Sequence, residues 1–149
     1  MRSVVQRVDR GRVLIGDKQI SEIGKGLLVL LGIEQDDRKN DADYLSDKII
    51  NLRIFEDDNG KMNLSLLEIR GEMMVVSQFT LLGDCRKGRR PSFTGTENPD
   101  RARFLYDYFI QNTKAIIGNV AQGEFQAMMS IELVNNGPVT MLLDSRRSF

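Results

Sequence analysis

The chain contains no histidine. That absence removes Ser-His-Asp and Cys-His nucleophile systems, imidazole acid–base catalysis and nearly every catalytic zinc site. Cysteine is almost missing as well: Cys85 is alone, closes no intrachain disulfide and fits no CxxC or zinc-ribbon spacing. No apolar run reaches the roughly 18 residues that a membrane span needs. The longest, Gly26 to Ile33, is strand-length. Residues Met1 to Arg12 lack the continuous apolar stretch of a secretory signal, so a cytoplasmic location is the default expectation. Neither sign of charge is in excess. With 21 basic and 21 acidic residues the net charge is zero, so any contact with nucleic acid must come from local clustering.

What is present is the composition of a globular protein, 41% hydrophobic and 28% charged over 149 residues. No linker, low-complexity tract or repeat divides it, and a single domain over residues 1–149 is expected. The opening third reads as β-structure. Val4, Val5 and Val8, then Val13, Leu14 and Ile15, form two apolar patches split by a turn signal at Asp9-Arg10-Gly11, and Gly16-Asp17 marks another turn. Leu27 to Ile33 reads as a fully buried central strand.

Asp36-Asp37 introduces a first helix, with Ala42, Leu45, Ile49 and Leu52 on one face. Arg53-Ile54-Phe55 reads as a short strand and Asp58-Asn59-Gly60 as a turn. Glu72 to Leu82 reads as a second strong strand, followed by a Gly- and Arg-rich loop from Gly83 to Gly95. Asn98-Pro99 suits the start of a second helix lined by Ala102, Leu105, Phe109 and Ile116. Ala127 to Val134 alternates with period two, and Val139 to Leu143 reads as the last strand. The expected class is α+β, mostly β: a curled or barrel-like sheet with two helices.

Candidate chemistry lies in two segments. Ser77-Gln78-Phe79-Thr80 closes a buried strand, where the hydroxyls of Ser77 and Thr80 are potential nucleophiles or simply satisfy strand-end backbone groups. With no histidine in the chain and no lysine in the motif, a base to activate them is hard to supply. Gly137-Pro138 is either an ordinary turn or a place where bare backbone approaches a ligand. Arg86, Lys87, Arg89 and Arg90 crowd one loop, as a solvated basic surface or a phosphate contact. Arg146-Arg147 reads as a frayed tail.

Taken together, Ser77-Gln78-Phe79-Thr80-Leu81 and Asn135-Asn136-Gly137-Pro138-Val139-Thr140 resemble the paired signature of D-aminoacyl-tRNA deacylases. The likeness extends through Val5-Gln6-Arg7-Val8, the segment ending at Glu34, Arg53-Ile54-Phe55, Gly60 to Leu64, Arg90-Pro91-Ser92-Phe93 and Pro99 to Phe109. The resemblance implies an aminoacyl-tRNA editing hydrolase that cleaves the ester joining a D-amino acid to the 3′-terminal adenosine of tRNA, releasing free D-amino acid and tRNA. It implies a homodimer with the site at the subunit interface and no cofactor, metal, DNA or membrane partner. Gly137-Pro138 would be a cis dipeptide entering the other subunit's pocket, its carbonyls binding the substrate's α-amino group and its backbone excluding an L side chain. Glycyl-tRNA mischarged on tRNA-Ala would pass such a filter.

The same resemblance implies that Arg7 holds the Gly137-Pro138 carbonyls and that Asn135 belongs to the substrate site. Phe79 and Phe93 would wall the pocket or pack near the adenine, or else serve only the core. Backbone N–H groups around Gln78, Phe79 and Thr80 would stabilise an oxyanion, and the terminal 2′-hydroxyl of the tRNA would help activate water. Attack by Thr80 is the competing mechanism.

Overall fold

The computed structural model describes all residues, 1–149. Eight strands, two α-helices and one 3-10 turn follow one another: β1 (Arg2–Ile15), β2 (Lys18–Ile23), β3 (Gly26–Gly32), α1 (Lys39–Ile50), β4 (Phe55–Glu56), β5 (Met62–Leu64), β6 (Glu72–Ser77), the 3-10 turn (Phe79–Leu82), α2 (Pro99–Ile117), β7 (Val120–Gln122) and β8 (Ser130–Asp144). The main sheet runs β2-β1-β3-β6-β7, with β8 on the other edge of β1. β3 and β6 are parallel, as are β6 and β7, while β1 is antiparallel to β2, β3 and β8. Ser21 Oγ on β2 donates to the Gln122 carbonyl on β7 at 2.8 Å, joining the two ends of the curl. The sheet is a nearly closed, barrel-like layer.

The period-two alternation of strands explains why the central ones are apolar throughout. On β3, Leu27, Val29 and Leu31 face the larger core under the helices, while Leu28 faces a second cluster inside the curl. On β6, Met73 and Val75 face the helices and Met74 and Val76 face inward. Both faces are covered, so neither tolerates a polar residue. Helix α2 starts as its sequence suggests: Asn98 caps by accepting from the Arg101 N–H at 3.0 Å, with Pro99 at the first helical position. Both helices lie on one side, where Ser46 and Thr113 share a buried 2.8 Å hydrogen bond. No helix is long and apolar enough to cross a membrane.

Several sequence expectations change. β1 is one strand, with no turn at Asp9-Arg10-Gly11. Its first half pairs with β3 and its second with β2, while β8 spans both, so the apparent break marks a change of partner. The short strand expected at Arg53-Ile54-Phe55 is confined to Phe55–Glu56. β6 stops at Ser77 rather than Leu82, because the chain turns sharply there. The last two expected strands are one, β8, which begins only at Ser130. Ile116 is exposed rather than part of the buried face of α2.

Arg146, expected in a frayed tail, instead joins an ionic cluster. Its Nε lies 3.5 Å from Glu34 and its guanidinium 3.6 Å from Asp37. The Met1 ammonium is 2.6 Å from Asp37 and hydrogen-bonds Ser145 Oγ at 2.9 Å. Burial pushes the Asp37 carboxyl above the usual carboxylate range, against the opposing pull of the ammonium. Glu34 bridges to Thr96, and the Gln35 N–H donates to the Gly95 carbonyl, so this cluster is tied to the segment leading into α2.

Candidate active site

The end of β6 opens into a groove of about 700 Å³. Its floor is Leu31 and Ile33 from the end of β3, with Val76, Ser77, Gln78 and Phe79. One wall comes from the entry to α2 (Thr96, Glu97, Pro99 and Ala102) and the other from Phe125 to Met129 with Ile131. Apolar side chains make most of the lining, as in sites that enclose an organic ligand. Glu97 is already engaged: its carboxylate lies 3.0 Å from Arg101 Nε and accepts from the Asn98 N–H at 2.8 Å.

The chain can turn over the groove floor because Gly32 has no side chain. A Cβ there would lie 2.9 Å from the Gln78 carbonyl oxygen and 3.3 Å from Leu81 Cβ. The Gln78 N–H continues the sheet ladder, donating to the Leu31 carbonyl at 2.8 Å, and is therefore not free for an oxyanion. Of the three N–H groups expected to serve an oxyanion, this one is spent on the sheet. The N–H groups of Phe79 and Thr80 open the 3-10 turn, where helical geometry supplies no acceptor within the turn. Ser77, Gln78 and Phe79 line the groove. Thr80 is exposed, and its hydroxyl accepts from Gln78 Nε2. No basic group stands beside that hydroxyl; its partner is an amide donor.

The two aromatic candidates have different roles. Phe79 lines the groove and is 60% exposed. Phe93 packs edge-on behind it, ring centroids 5.1 Å apart, and does not line the groove. The opposite wall was not legible beforehand. Phe125 belongs to an irregular stretch after β7, and Ala127 to Met129, expected in a strand, are wall residues instead. Only the lone aromatic in a stretch without periodicity signalled Phe125.

The second motif lies elsewhere. Between Thr140, opposite Gln6, and Asn135, opposite Val8, β8 bulges outward at Asn136-Gly137-Pro138-Val139. The Gly137–Pro138 peptide is cis, and Gly137 has φ +118°, a conformation that favours glycine. Arg7, one of the few buried charged residues, lies beneath the bulge. It donates through Nε to the Asn136 carbonyl at 3.2 Å and through a terminal nitrogen to the Ile54 carbonyl at 2.6 Å. Its hydrogen bond therefore reaches the residue before the dipeptide rather than the dipeptide's own carbonyls. Asn136 Nδ2 donates to Asp9 at 2.7 Å, and Thr140 Oγ1 donates to Gln6 Oε1. Asp9 and Asn136 are pinning residues that residue type alone did not single out. Asn135 is exposed beside them.

These motifs sit at opposite ends of β3. Arg7 pairs with Leu27 and Ser77 with Leu31, four residues along the strand or roughly 13 Å at strand rise. Neither Gly137 nor Pro138 lines the groove of its own chain. In the Gly83–Gly95 loop, closed by an Asp84–Ser92 bridge, Arg86 pairs with Asp84 through two hydrogen bonds of 2.9 and 2.8 Å. That pairing holds the Asp84 carboxyl far below the usual range. Lys87, Arg89 and Arg90 are exposed, with no side-chain ion pair or hydrogen bond. No three carboxylate or thiol side chains gather into a group that could hold a metal ion.

A family model described as D-Tyr-tRNA(Tyr) deacylase matches residues 4–144, which defines the class: hydrolases acting on the ester of aminoacyl-tRNA. Curated relatives named D-aminoacyl-tRNA deacylase are 62% identical in Syntrophus aciditrophicus (strain SB) and 56% identical in Clostridioides difficile (strain 630), each aligned over 100% of both chains. Among solved structures, one titled c-Myc DNA Unwinding Element Binding Protein matches with TM-score 0.92 and 38% identity, over 97% of this chain and 98% of that one. Another, titled as a probable eukaryotic D-amino acid tRNA deacylase, matches in fold with TM-score 0.81 and 20% identity, over 95% of this chain and 97% of that one. The chain belongs to the D-aminoacyl-tRNA deacylase family.

Proposed function

We propose that the groove holds the 3′-terminal aminoacyl-adenosine of a D-aminoacyl-tRNA and that the Phe79 and Thr80 N–H groups stabilise the oxyanion of ester hydrolysis. Water adds to the ester carbonyl carbon, and the carbonyl oxygen takes up negative charge beside these N–H groups. The tetrahedral intermediate then collapses, expelling the ribose 3′-oxygen, which is protonated, and leaving the free D-amino acid. One such donor is typically worth about 3 kcal/mol of transition-state stabilisation. An aminoacyl ester is already reactive, so this push and the orientation of the ester suffice, with the tRNA's 2′-hydroxyl assisting the water.

The observation that carries the reading is the groove itself, whose apolar floor ends at Phe79, where a 3-10 turn opens with the Phe79 and Thr80 N–H groups lacking an acceptor in the turn. Attack by Thr80 fits less well, because the hydroxyl's hydrogen-bond partner is the Gln78 amide and not a base.

The chiral filter is Gly137-Pro138 from a second copy of the chain. Its remoteness from the groove of its own chain supports this division of labour. Backbone cannot rotate aside, so an L side chain meets a wall while a D side chain points outward; selection is by exclusion. Glycine offers nothing to exclude, so glycyl-tRNA mischarged on tRNA-Ala is accepted. Phe93 supports the site by bracing Phe79, and Asn135 by flanking the bulge. Arg86, Lys87, Arg89 and Arg90 provide phosphate contacts along the tRNA.

One assay addresses each part: D-Tyr-tRNA, L-Tyr-tRNA and D-Tyr-tRNA ending in 2′-deoxyadenosine. The expected result is rapid release from the first only. Absence of release from the D substrate removes the editing activity, and equal cleavage of the L form removes the filter. Full activity on the deoxy substrate removes 2′-hydroxyl assistance and restores Thr80 as nucleophile.

A further inference from the structure

Two residues of helix α2, Tyr106 and Arg103, approach the groove-wall ring of Phe125, and Tyr106 is the one that packs behind it in the core. The Tyr106 ring lies 5.7 Å away at 49°, and the Arg103 guanidinium sits 5.0 Å from the Phe125 ring centroid. Tyr106 is itself anchored, its hydroxyl donating to the buried Val75 carbonyl of β6 at 2.8 Å. Pro99 and Ala102, on the same helix, line the groove beside Phe125. Arg103 follows Pro99 by one helical turn, and its contact with the Phe125 ring puts its guanidinium beside the groove rather than in its lining.

The state of this arginine differs from that of its neighbour. Arg101 is committed, paired with Glu97 at 3.0 Å and donating to the Asp37 carbonyl at 3.0 Å. Arg103 is exposed and makes no hydrogen bond and no ion pair, although Asp100 and Asp107 lie three and four residues away on its own helix. A guanidinium over an aromatic ring keeps its in-plane N–H edges available, and those edges match a phosphate's oxygens in a two-pronged contact. The wall residue beneath it therefore orients five uncommitted donors at the mouth of a groove.

We infer that Arg103 binds the phosphate on the 5′ side of the terminal adenosine, fixing how far the acylated end enters the groove. This rests on the groove being the aminoacyl-adenosine site. The terminal nucleotide carries one phosphodiester at that point, and Arg103, seated on the groove-wall ring of Phe125, has no hydrogen bond or ion pair within the protein. The residue acts on the placement of tRNA and not on the reacting ester, so its effect depends on whether the substrate has that phosphate.

The test compares the full-length protein with Arg103→Gln and Arg103→Lys on D-Tyr-tRNA and on D-tyrosyl-adenosine, which lacks the phosphate. For Arg103→Gln, KM on the tRNA is expected to rise roughly tenfold. Turnover at saturation should stay within about twofold, as expected for loss of a contact equal in ground and transition states. The salt dependence of binding should fall by about 0.7 of a logarithmic unit per unit, the share of one phosphate on a single strand. Arg103→Lys should recover most of the salt dependence and part of the KM. Kinetics on D-tyrosyl-adenosine should not change.

Equal losses on both substrates would overturn the phosphate contact and leave Arg103 as a prop for Phe125. No change on either would overturn it outright. Should the wild type release nothing from either substrate, the deacylase reading fails by itself. The arginine is then judged by binding of an uncharged CCA-ended RNA hairpin, where an unchanged Kd in Arg103→Gln removes the contact.

Discussion

The turn after Ser77 and the bulge at Asn136–Val139 are both places where main chain leaves the sheet, yet they are held in opposite ways. The turn is made by the chain's own backbone, with the Gln78 N–H on Leu31 and a bare Gly32 beneath it. Its first two side chains, Phe79 and Thr80, are exposed, and only Leu82 at its end is buried. The bulge is held by side chains from another strand, with Arg7 and Asp9 of β1 bonded to Asn136 and Gln6 bonded to Thr140 at its edge. Deleting the β1 side chains should therefore damage the bulge, while trimming Thr80 should spare the turn.

The largest effect is expected from Arg7→Leu. It leaves the Ile54 and Asn136 carbonyls without their donor in a buried site, at a cost of about 2–4 kcal/mol. Urea denaturation should show this loss, and the variant should discriminate poorly between D- and L-Tyr-tRNA. Stability within about 0.5 kcal/mol of the wild type would mean that the bulge does not need its arginine.

Gly137→Ala comes next. A Cβ there would lie 2.7 Å from Val139 Cγ2 and 3.0 Å from an Arg7 terminal nitrogen, in a backbone conformation that disfavours any side chain. About 1–3 kcal/mol of local strain is expected, with release of L-Tyr as the readout. Unchanged enantiomer selectivity in a folded variant would remove the bulge from the filter.

The smallest effect belongs to the turn. Thr80→Ala keeps the N–H and removes only a hydroxyl bonded to Gln78, so kcat should stay within about threefold of the wild type. A loss of about 10⁴-fold or more with the fold intact, towards the roughly 10⁶-fold cost of removing a nucleophile, would erase the contrast between the two regions.

The same contrast explains what could be read in advance. The α2 start was legible because Asn98, Pro99 and Arg101 are adjacent and interact locally. The buried strands β3 and β6 were legible because both of their faces are apolar. The turn was not, since Phe79-Thr80-Leu81-Leu82 has the composition of more strand, and what ends β6 is room over Gly32 on a different strand. The unbroken course of β1 was hidden for a related reason: Asp9-Arg10-Gly11 looks like a turn until its pairing with both β2 and β8 is known. The motif residues were recognisable together, but the groove's Phe125 wall depends on how α2 packs against an irregular segment, and no local pattern encodes that.

The mechanism we propose takes its oxyanion donors from the main chain of the 3-10 turn, and that choice changes how mutation can reach them. Every amino acid except proline carries the same N–H, so nearly all codon changes at Phe79 or Thr80 leave the donors chemically intact. Loss of these donors must come instead through the shape of the turn. Gly32, where even one added carbon would press on the Gln78 carbonyl at 2.9 Å, is a more vulnerable genetic target than the residues whose donors it positions.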